Sequence, residues 1–509
     1  MGSLPLSELP QKKHYASLRD FLAALASLGD VAEITREVDT HLEIGAIIRR
    51  SHENFAPVPV FSNIRDHPGY RVVGAPLSYS SLPKARMARI AMTLGLDPAT
   101  PGTEIVQILA KTTKLPPIPP VIVEDGPVHE NVLLGDEVDL LKFPTPLIHF
   151  GDGGRFFNTL GFWVVRSPDG KWTNWSIARA MILDEKHLTG VIAPYQHNGK
   201  IFGMWRKIGK PMPFALVQGA EPASLFAGGM PLSDGVDEAG YLGCLFNEPL
   251  QLVRCKTVAL EVPAQAEIVV EGHVSLTRRA PEGPMGEFHG YISDRIREKP
   301  VYEVSAITHR NNPLLPVTSA GKPVDEDHTI TGVSASAMVL EALRDHGLPV
   351  TSTWAPPEAA QQLLTVSVPR DWYQKVDLSA EDFVRKIAVT AKSIHGTQRY
   401  TRVLVCDDDI ELSNHRDLIW AWNTRCHPAT GRIRLDDQPI NPAIPFYPEI
   451  EDQLKRFLAD PEHASWKFSG TIEALNCLRP AGWDPTSLSD FANNFPEDVK
   501  RKVIDNWVE

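Results

Sequence analysis

The sequence predicts a multidomain chain of mixed α/β and α+β class. Three observations carry that prediction. A length of 509 residues exceeds what a single hydrophobic core ordinarily serves. Apolar spacing changes from helical to alternating after a proline-rich run, "LPPIPP" at 115–120. Helical spacing returns near residue 328 and then alternates with strands towards the C-terminus. The boundaries that follow are 1–120, 121–325, a linking helix over 326–347, and 348–509.

Taken in order, "ASLRDFLAALASL" has apolar residues at helical spacing and stops at Gly29-Asp30. A short strand "DVAEI", a helix around "HLEIGAIIRRS", and strands "PVPVFSN" and "YRVVGAP" follow. "SLPKARMARIAMTLGL" reads as an amphipathic helix. The prolines of 115–120 cannot join a ladder and serve as a stiff connector. Beyond them "FFNTLGFWVVRSPDGKWTNWSIARAMI" alternates around Ser167-Pro168-Asp169-Gly170, a turn signal. "LQLVRCKTVALEVPAQAEIVVEGHVSL" and "VYEVSAITHRNNPLLPVTS" continue the pattern, so 125–320 reads as an antiparallel barrel or folded sheet. "HTITGVSASAMVLEALRDHG" is a long helix ending in Gly347. Helices "AEDFVRKIAVTAKSI" and "HRDLIWAWNT" then alternate with strands "LLTVSV" and "RVLVCDDDIEL". The C-terminal "EDVKRKVIDNWVE" is a helix suited to packing on another subunit.

Composition excludes several classes. A formal net charge of −12 without a long like-charge block argues against general nucleic-acid binding, because phosphate backbones select basic faces. The five cysteines are scattered and never form a C-x-x-C pair, which favours a reducing compartment over a disulfide scaffold or zinc ribbon. The N-terminus lacks the apolar core of a signal peptide, and no window is long enough to span a bilayer. The expectation is a soluble, cytoplasmic protein. No G-x-G-x-x-G opens a helix, and the P-loop, H-E-x-x-H and G-x-S-x-G motifs are missing. "GDGG" at 151–154 reads as a tight turn.

Two constellations remain. In "PEGPMGEFHGY", residues 281–291, Glu282 and Glu287 share a glycine- and proline-rich loop. Two carboxylates held close cannot both ionise easily, which makes one a proton donor at neutral pH. Alone, such a loop is an exposed acidic turn. Arg179, in "TNWSIARAM" at 173–181, changes the balance, since a buried arginine needs an anionic partner. Alone, Arg179 is a core ion-pair residue. The second constellation is Asn174, His197 at the strand end of "APYQH", and Glu238 in the loop "DGVDEAGY". Amide, imidazole and carboxylate make a mixed O/N set suited to Mn²⁺ or Mg²⁺. Each of the three has an ordinary surface reading, and His187 and His328 are equally good lone histidines.

"TNWSIARAM", "HLTG…PYQH", "DGVDEAGY" and "PEGPMGEFHGY", in this order and spacing, resemble the UbiD family of reversible decarboxylases, within it the ferulic (phenylacrylic) acid decarboxylase branch. The resemblance extends from "EITREVD" to "PEDVKRKVIDNW". It implies an N-terminal α/β segment, a split β-barrel flavin-binding domain, a linking helix and a C-terminal dimerisation domain in a homodimer. It implies prenylated FMN, made by a separate flavin prenyltransferase and bound with Mn²⁺ (or Mg²⁺) and K⁺. Asn174, His197 and Glu238 then match the Mn²⁺ ligands. Trp175, Ala227, Met230 and Glu238 match the K⁺ site, partly through carbonyls. Asn174, Trp175, Ser176, Ile177, Ala178, Arg179, Gln196 and His197 match flavin-contacting segments, and His395 stands near the phosphate-binding lysine. Arg179, Glu282 and Glu287 match a Glu-Arg-Glu network with Glu287 as proton donor. The substrate would be a small carboxylic acid, with CO₂ released or, in reverse, fixed.

Departures from the branch gather in the substrate pocket. Asp327 and Thr331 stand where a threonine and an isoleucine are usual, Asn441 and Ala443 where a phenylalanine and a leucine are, and Phe288 where a methionine is. A buried Asp327 or Asn441 favours a substrate offering a ring N–H or hydroxyl, since leaving such groups unpaired costs about 1–3 kcal/mol. The expected substrate is a heteroaromatic or polar-substituted unsaturated acid. Two rival readings are a conventional FMN oxidoreductase and a non-catalytic companion subunit of a larger decarboxylase. The paired carboxylates argue against the first and the intact triad against the second.

Overall fold

The structure, a computed structural model, describes residues 14–292, 296–443, 446–459, 468–480 and 488–507. The N-terminal part is a four-stranded sheet. Val31–Ile34, Val58–Phe61 and Arg71–Gly74 are joined by Leu314–Val317, which returns from far along the chain to pair parallel with Arg71–Gly74. The sequence reading kept that last strand in the central sheet. Its four residues are all buried and carry no alternation that would assign a sheet. Helices Leu18–Ser27 and Glu43–Asn54 cover this sheet, the first capped by Ser17, whose side chain accepts from the Asp20 N–H.

Two further expectations need correction here. The helix read over "SLPKARMARIAMTLGL" is only Ala88–Thr93, and all six residues are buried, so its apparent amphipathicity is not what holds it. The helix Gly102–Thr112 went unread, although it packs directly on the linking helix. The prolines of 115–120 do connect: they lead into Val121–Ile122, which pairs with Gln251–Arg254 in a small three-stranded sheet.

The central sheet has nine strands, and every ladder in it is antiparallel. From one edge it runs through Phe156–Asn158, Ala180–Asp184, His187–Gly190, Arg297–His309, Ile268–Glu282, Met212–Gln218 and Phe162–Arg166 to Thr173–Ser176. Asn131–Leu134 pairs alongside Arg297–His309. The sheet is open, a half-barrel. Both its faces are covered, which explains why "FWVV" is apolar throughout. Phe162 and Val164 enter one core, Trp163 and Val165 the other, and Trp163 stacks on Tyr302 at 4.5 Å.

The linking helix is Glu326–Asp345, started by a capping box between Asp325 and His328. Its small residues permit close packing: a Cβ on Gly332 would stand 2.9 Å from the Ala355 carbonyl oxygen. The C-terminal sheet runs Ser352–Trp354, Leu363–Val368, Arg402–Asp407, Ser469–Cys477, Arg432–Pro439, with parallel pairs at its centre. Helix Ala380–Lys392 forms where a helix was expected and is amphipathic, with Phe383, Val384 and Ile387 buried. The final helix, Glu497–Trp507, buries nothing within the chain. Among the described residues no helix is long and apolar enough to cross a membrane, and none of the five cysteines forms a disulfide.

Candidate active site

The chain crosses from one side of the central sheet to the other at Ile177–Arg179. Those residues join the edge strand Thr173–Ser176 to Ala180–Asp184, one strand in from the opposite edge. The crossing is fixed from beneath. The Ala178 carbonyl accepts from Asn158 Nδ2 and Trp163 Nε1, both at 2.7 Å. A Cβ on Gly190 would stand 2.6 Å from the Arg179 carbonyl oxygen, so only glycine lets the neighbouring strand approach. The mixed polar content of "TNWSIARAM" follows: it floors a cavity of about 1210 Å³ walled by the linking helix and by segments near 395–399 and 441–454.

Arg179 stands in that cavity between two carboxylates. Its Nε donates to Glu282 Oε1 at 2.6 Å and its Nη2 to Glu282 Oε2 at 3.1 Å, while Nη1 donates to Glu287 Oε1. Burial disfavours the guanidinium charge, but Glu287 and Glu282 more than offset it and hold Arg179 protonated. Burial raises the proton affinity of Glu287 above that of an ordinary carboxylate, against the pull of Arg179 and with help from Glu282 and Asp152. One carboxylate is therefore gripped at two points and the other, one-third exposed, is biased towards holding a proton. The sequence reading put Glu282 in a loop. It is instead the last residue of the strand Ile268–Glu282, which runs through Pro281 and ends just before Gly283-Pro284, with Arg297 paired opposite Glu282.

Asn174, Glu238 and His197 lie at the other end of the floor. Asn174 Nδ2 donates to Glu238 Oε1 at 3.0 Å, and the Trp175 N–H donates to Glu238 Oε2 at 2.9 Å. Neither Glu238 nor His197 sits where the sequence suggested, in a loop and at a strand end. Each is the first residue of a helix, Glu238–Phe246 and His197–Lys207, because Asp237 and Gln196 take the N-cap positions. Glu238 lies behind Asn174 rather than on the cavity wall. Burial raises the Glu238 carboxyl well above its usual range and lowers His197.

Three buried atoms on this wall lack a hydrogen-bond partner: Asn174 Oδ1, Ser176 Oγ and His197 Nε2. The last lies 2.9 Å from Asp234 Oδ1, a half-exposed carboxylate at ion-pair distance. Unsatisfied polar atoms facing one cavity fit a bound polar group. Among the described residues no three His, Cys, Asp or Glu side chains gather by themselves as a metal site, so a cation here would rely on the Asn174 amide. Trp175 is buried against Phe162, and Met230 lines the wall. Ala227 does not line it; its carbonyl accepts from the Met230 N–H at 3.0 Å. Ile177, Ala178, Gln196 and His395 all line the cavity, and the His395 ring stacks on His197 at 4.5 Å and 7°. Lys392, three residues before His395, is buried. Its Nζ donates to the Thr397 and Tyr400 carbonyls at 3.0 and 2.8 Å, shaping the loop rather than facing the cavity.

Phe288, Asp327, Thr331, Asn441 and Ala443 are all brought to the cavity. Thr331 Oγ1 donates to the Asp327 carbonyl and is tied to the helix rather than free. The Asp327 carboxylate has no hydrogen-bond partner among the described residues. Burial raises its pKa to about 7, with Asp325 and Glu287 adding to the effect. Sequence reasoning missed Arg399, Gln361 and Lys299 on the same wall. Arg399 donates to Gln361 Oε1, and Gln361 Nε2 donates to the Asp327 carbonyl at 2.6 Å. No local pattern marks these residues; they converge from three separate elements.

Residues 22–109, 121–323 and 328–458 match the N-terminal, Rift-related and C-terminal domain models of 3-octaprenyl-4-hydroxybenzoate carboxy-lyase, UbiD. The chain belongs to the UbiD family. It is a carboxy-lyase. A UbiD-family relative, pyrrole-2-carboxylic acid decarboxylase of Pseudomonas aeruginosa, is 39% identical over 493 residues, covering 96% of this chain and 97% of that protein. Ferulic acid decarboxylase 1 of Saccharomyces cerevisiae is 35% identical over 500 residues, with the same coverage of 96% and 97%. The solved structure of the UbiD-class enzyme HmfF from Pelotomaculum thermopropionicum, in complex with FMN, superposes with a TM-score of 0.76 at 25% identity. That match covers 93% of this chain and 97% of the other. An evolved dimeric form of HmfF in complex with prFMN gives 0.75 at the same identity and coverage.

Proposed function

We propose that the protein binds prenylated FMN in the cavity and decarboxylates an aromatic or heteroaromatic unsaturated carboxylic acid, with Glu287 returning the proton. The observation that carries this reading is Arg179 held between Glu282 and Glu287 on the cavity wall. Loss of CO₂ from an sp² carbon leaves a carbanion that water does not stabilise, and the bound flavin supplies the electron sink. Arg179 orients the substrate carboxylate while Glu282 keeps the guanidinium aligned. Glu287, biased towards its protonated form, donates its proton at the carbon the carboxylate has left. In the reverse direction the same carboxylate accepts that proton and CO₂ is fixed.

The orphaned Asn174 Oδ1 and His197 Nε2, with Glu238 behind them, would hold Mn²⁺ or Mg²⁺ against the cofactor phosphate. Carbonyls of Trp175, Ala227 and Met230 would supply oxygens to K⁺; within the chain they accept from the Asn174 amide, the Met230 N–H and the Leu232 N–H respectively. Ser176, Ile177, Ala178, Gln196 and His395 would contact the flavin, the N-terminus of helix His197–Lys207 adding a favourable dipole for an anion. Phe288, Asp327, Thr331, Asn441 and Ala443 would shape the substrate slot. The unpaired Asp327 carboxyl favours an acid bearing a ring N–H or hydroxyl, which fits the pyrrole-2-carboxylic acid decarboxylase relative better than a cinnamate slot. The exposed C-terminal helix supports a homodimer.

The test is CO₂ release across cinnamic, furan-, pyrrole-, indole- and phenazine-carboxylic acids. The protein is co-produced with a flavin prenyltransferase and supplied with Mn²⁺, with Glu287→Gln as control. Release that disappears in Glu287→Gln supports the reading, and clear preference for cinnamate removes the role given to Asp327. NAD(P)H-dependent redox turnover without CO₂ release would favour the oxidoreductase instead.

A further inference from the structure

The loop that carries Glu287 is held from both sides by groups outside the reaction network. We propose that two Asp–His pairs, the half-buried His149–Asp152 and the buried Asp325–His328, clamp the backbone on either side of Glu287 and act as positioning residues that keep its carboxyl against Arg179. The inference rests on Glu287 being the proton donor.

On one side, Asp152 Oδ1 accepts the Gly286 N–H at 2.9 Å, and the same carboxylate lies 3.1 Å from His149 Nδ1. The Asp152 side chain is fully buried, and His149 Nε2 is anchored 3.3 Å from Ser319 Oγ. The fit is close: a Cβ on Gly286 would stand 2.5 Å from His149 Cε1, and one on Gly153 would stand 2.0 Å from the Gly283 carbonyl oxygen. Gly153 N–H also donates to the Pro284 carbonyl at 2.8 Å. The "GDGG" turn is thus the cradle of the Glu287 loop.

On the other side, His328 Nε2 lies 2.7 Å from the Phe288 carbonyl oxygen, so that nitrogen carries the proton. His328 Nδ1 lies 2.8 Å from Asp325 Oδ1, and both side chains are fully buried. Burial disfavours the imidazolium and Asp325 raises His328 against it, while the Asp325 backbone N–H donates to Nδ1 at 3.0 Å in the capping box, which leaves Nε2 to carry the proton towards Phe288. The held groups belong to residues 286 and 288, immediately flanking Glu287. Its own N–H donates to the Tyr291 carbonyl at 3.1 Å, and its carbonyl accepts from Gly290 at 2.9 Å, which closes the turn. A glutamate on a glycine- and proline-rich loop would otherwise wander, and a donor displaced by 1 Å costs about a hundredfold in rate.

The test uses the full chain. Hydrogen–deuterium exchange of the segment 283–291 is measured by mass spectrometry in the apoprotein, alongside CO₂ release by the cofactor-loaded enzyme. Asp152→Ala and His328→Leu are expected to speed exchange of the segment about tenfold. They should also lower kcat at least about tenfold while KM stays within about twofold. Asp152→Asn keeps an acceptor for Gly286, and His328→Gln keeps an N–H for Phe288, so both should recover most of each loss when kcat is read on the low-pH plateau, where Glu287 is protonated in every variant. Gly286→Ala pushes the loop off His149 without removing a polar group and should loosen it likewise, which decides the matter should the truncations not fold. Unchanged exchange in the truncations or in Gly286→Ala overturns the clamp, as do conservative variants that lose as much as the truncations. Faster exchange with kcat unchanged overturns the positioning role. Absence of CO₂ release from the wild type would instead remove the decarboxylase reading, leaving the exchange data to decide the clamp alone.

Discussion

Arg179 grips Glu282 at two points, through Nε at 2.6 Å and Nη2 at 3.1 Å, and so presents its remaining edge to Glu287. Glu282 is only 2% exposed, so losing Arg179 leaves a buried carboxylate without its cation. Arg179→Ala should therefore destabilise the fold by about 3 kcal/mol, the penalty for a buried charge left alone. Denaturant unfolding followed by tryptophan fluorescence measures it. Arg179→Lys should recover part of the stability but little activity, because an ammonium cannot make the two-point contact.

The raised proton affinity of Glu287 has a kinetic signature. The protonated form is the donor, so kcat/KM should fall as pH rises through the Glu287 pKa, with the limb displaced above the usual 4.5 of a glutamic acid. A pH–rate profile measures this. Asp152→Asn removes a charge that favours the protonated form and should move the limb to lower pH.

Asp327 predicts a pH-dependent stability. Its folded pKa, about 7, is above its ordinary 3.8, so the folded state binds the extra proton. Its contribution is present at low pH and is lost as pH rises from about 4 to about 7. Asp327→Asn should consequently stabilise the protein at pH 8 more than at pH 5. Equal shifts at the two pH values would show that Asp327 ionises normally.

The orphaned wall atoms predict linked binding of flavin and cation. FMN with Mn²⁺ should raise the melting temperature by a few degrees, since a ligand at a hundred times its Kd contributes about 2.7 kcal/mol. EDTA should remove most of the gain. His197→Ala and Asn174→Ala should abolish the Mn²⁺-dependent part while keeping the apoprotein's melting temperature within about 3 °C.

The helix Glu497–Trp507 leaves Val503, Ile504 and Trp507 exposed, the last at 78%. A contiguous apolar face of this kind marks an association surface, here for a second copy of the chain. Light scattering should give a mass near twice 56.3 kDa, and Ile504→Glu with Trp507→Glu should shift it towards one copy.

Much of this was legible in the sequence. The turn signal at 167–170 placed the strands on either side of it, and a long helical run of small residues ending at Gly347 placed the linking helix. The motif order carried the family and the triad. Other features were not legible, for physical reasons that can be named. Helix Ala88–Thr93 is buried all round, so its periodicity misled. Leu314–Val317 is apolar at every position, and nothing local told which sheet it would join. His197 and Glu238 seemed to lie at a strand end and in a loop because their helices begin on them, with the caps one residue earlier.

By itself the sequence determined the residue types that do the chemistry, their order along the chain, and the local periodicities that build each layer. The tertiary structure alone decided which of them meet. It set Arg179 against two carboxylates more than a hundred residues away. It turned "GDGG" from a turn into the support of the Glu287 loop, and it brought Arg399 and Gln361 beside Asp327. Local patterns encode the backbone's own hydrogen bonds and the face a segment buries. Meetings between distant side chains depend on how the layers stack, and a one-dimensional pattern holds no record of that.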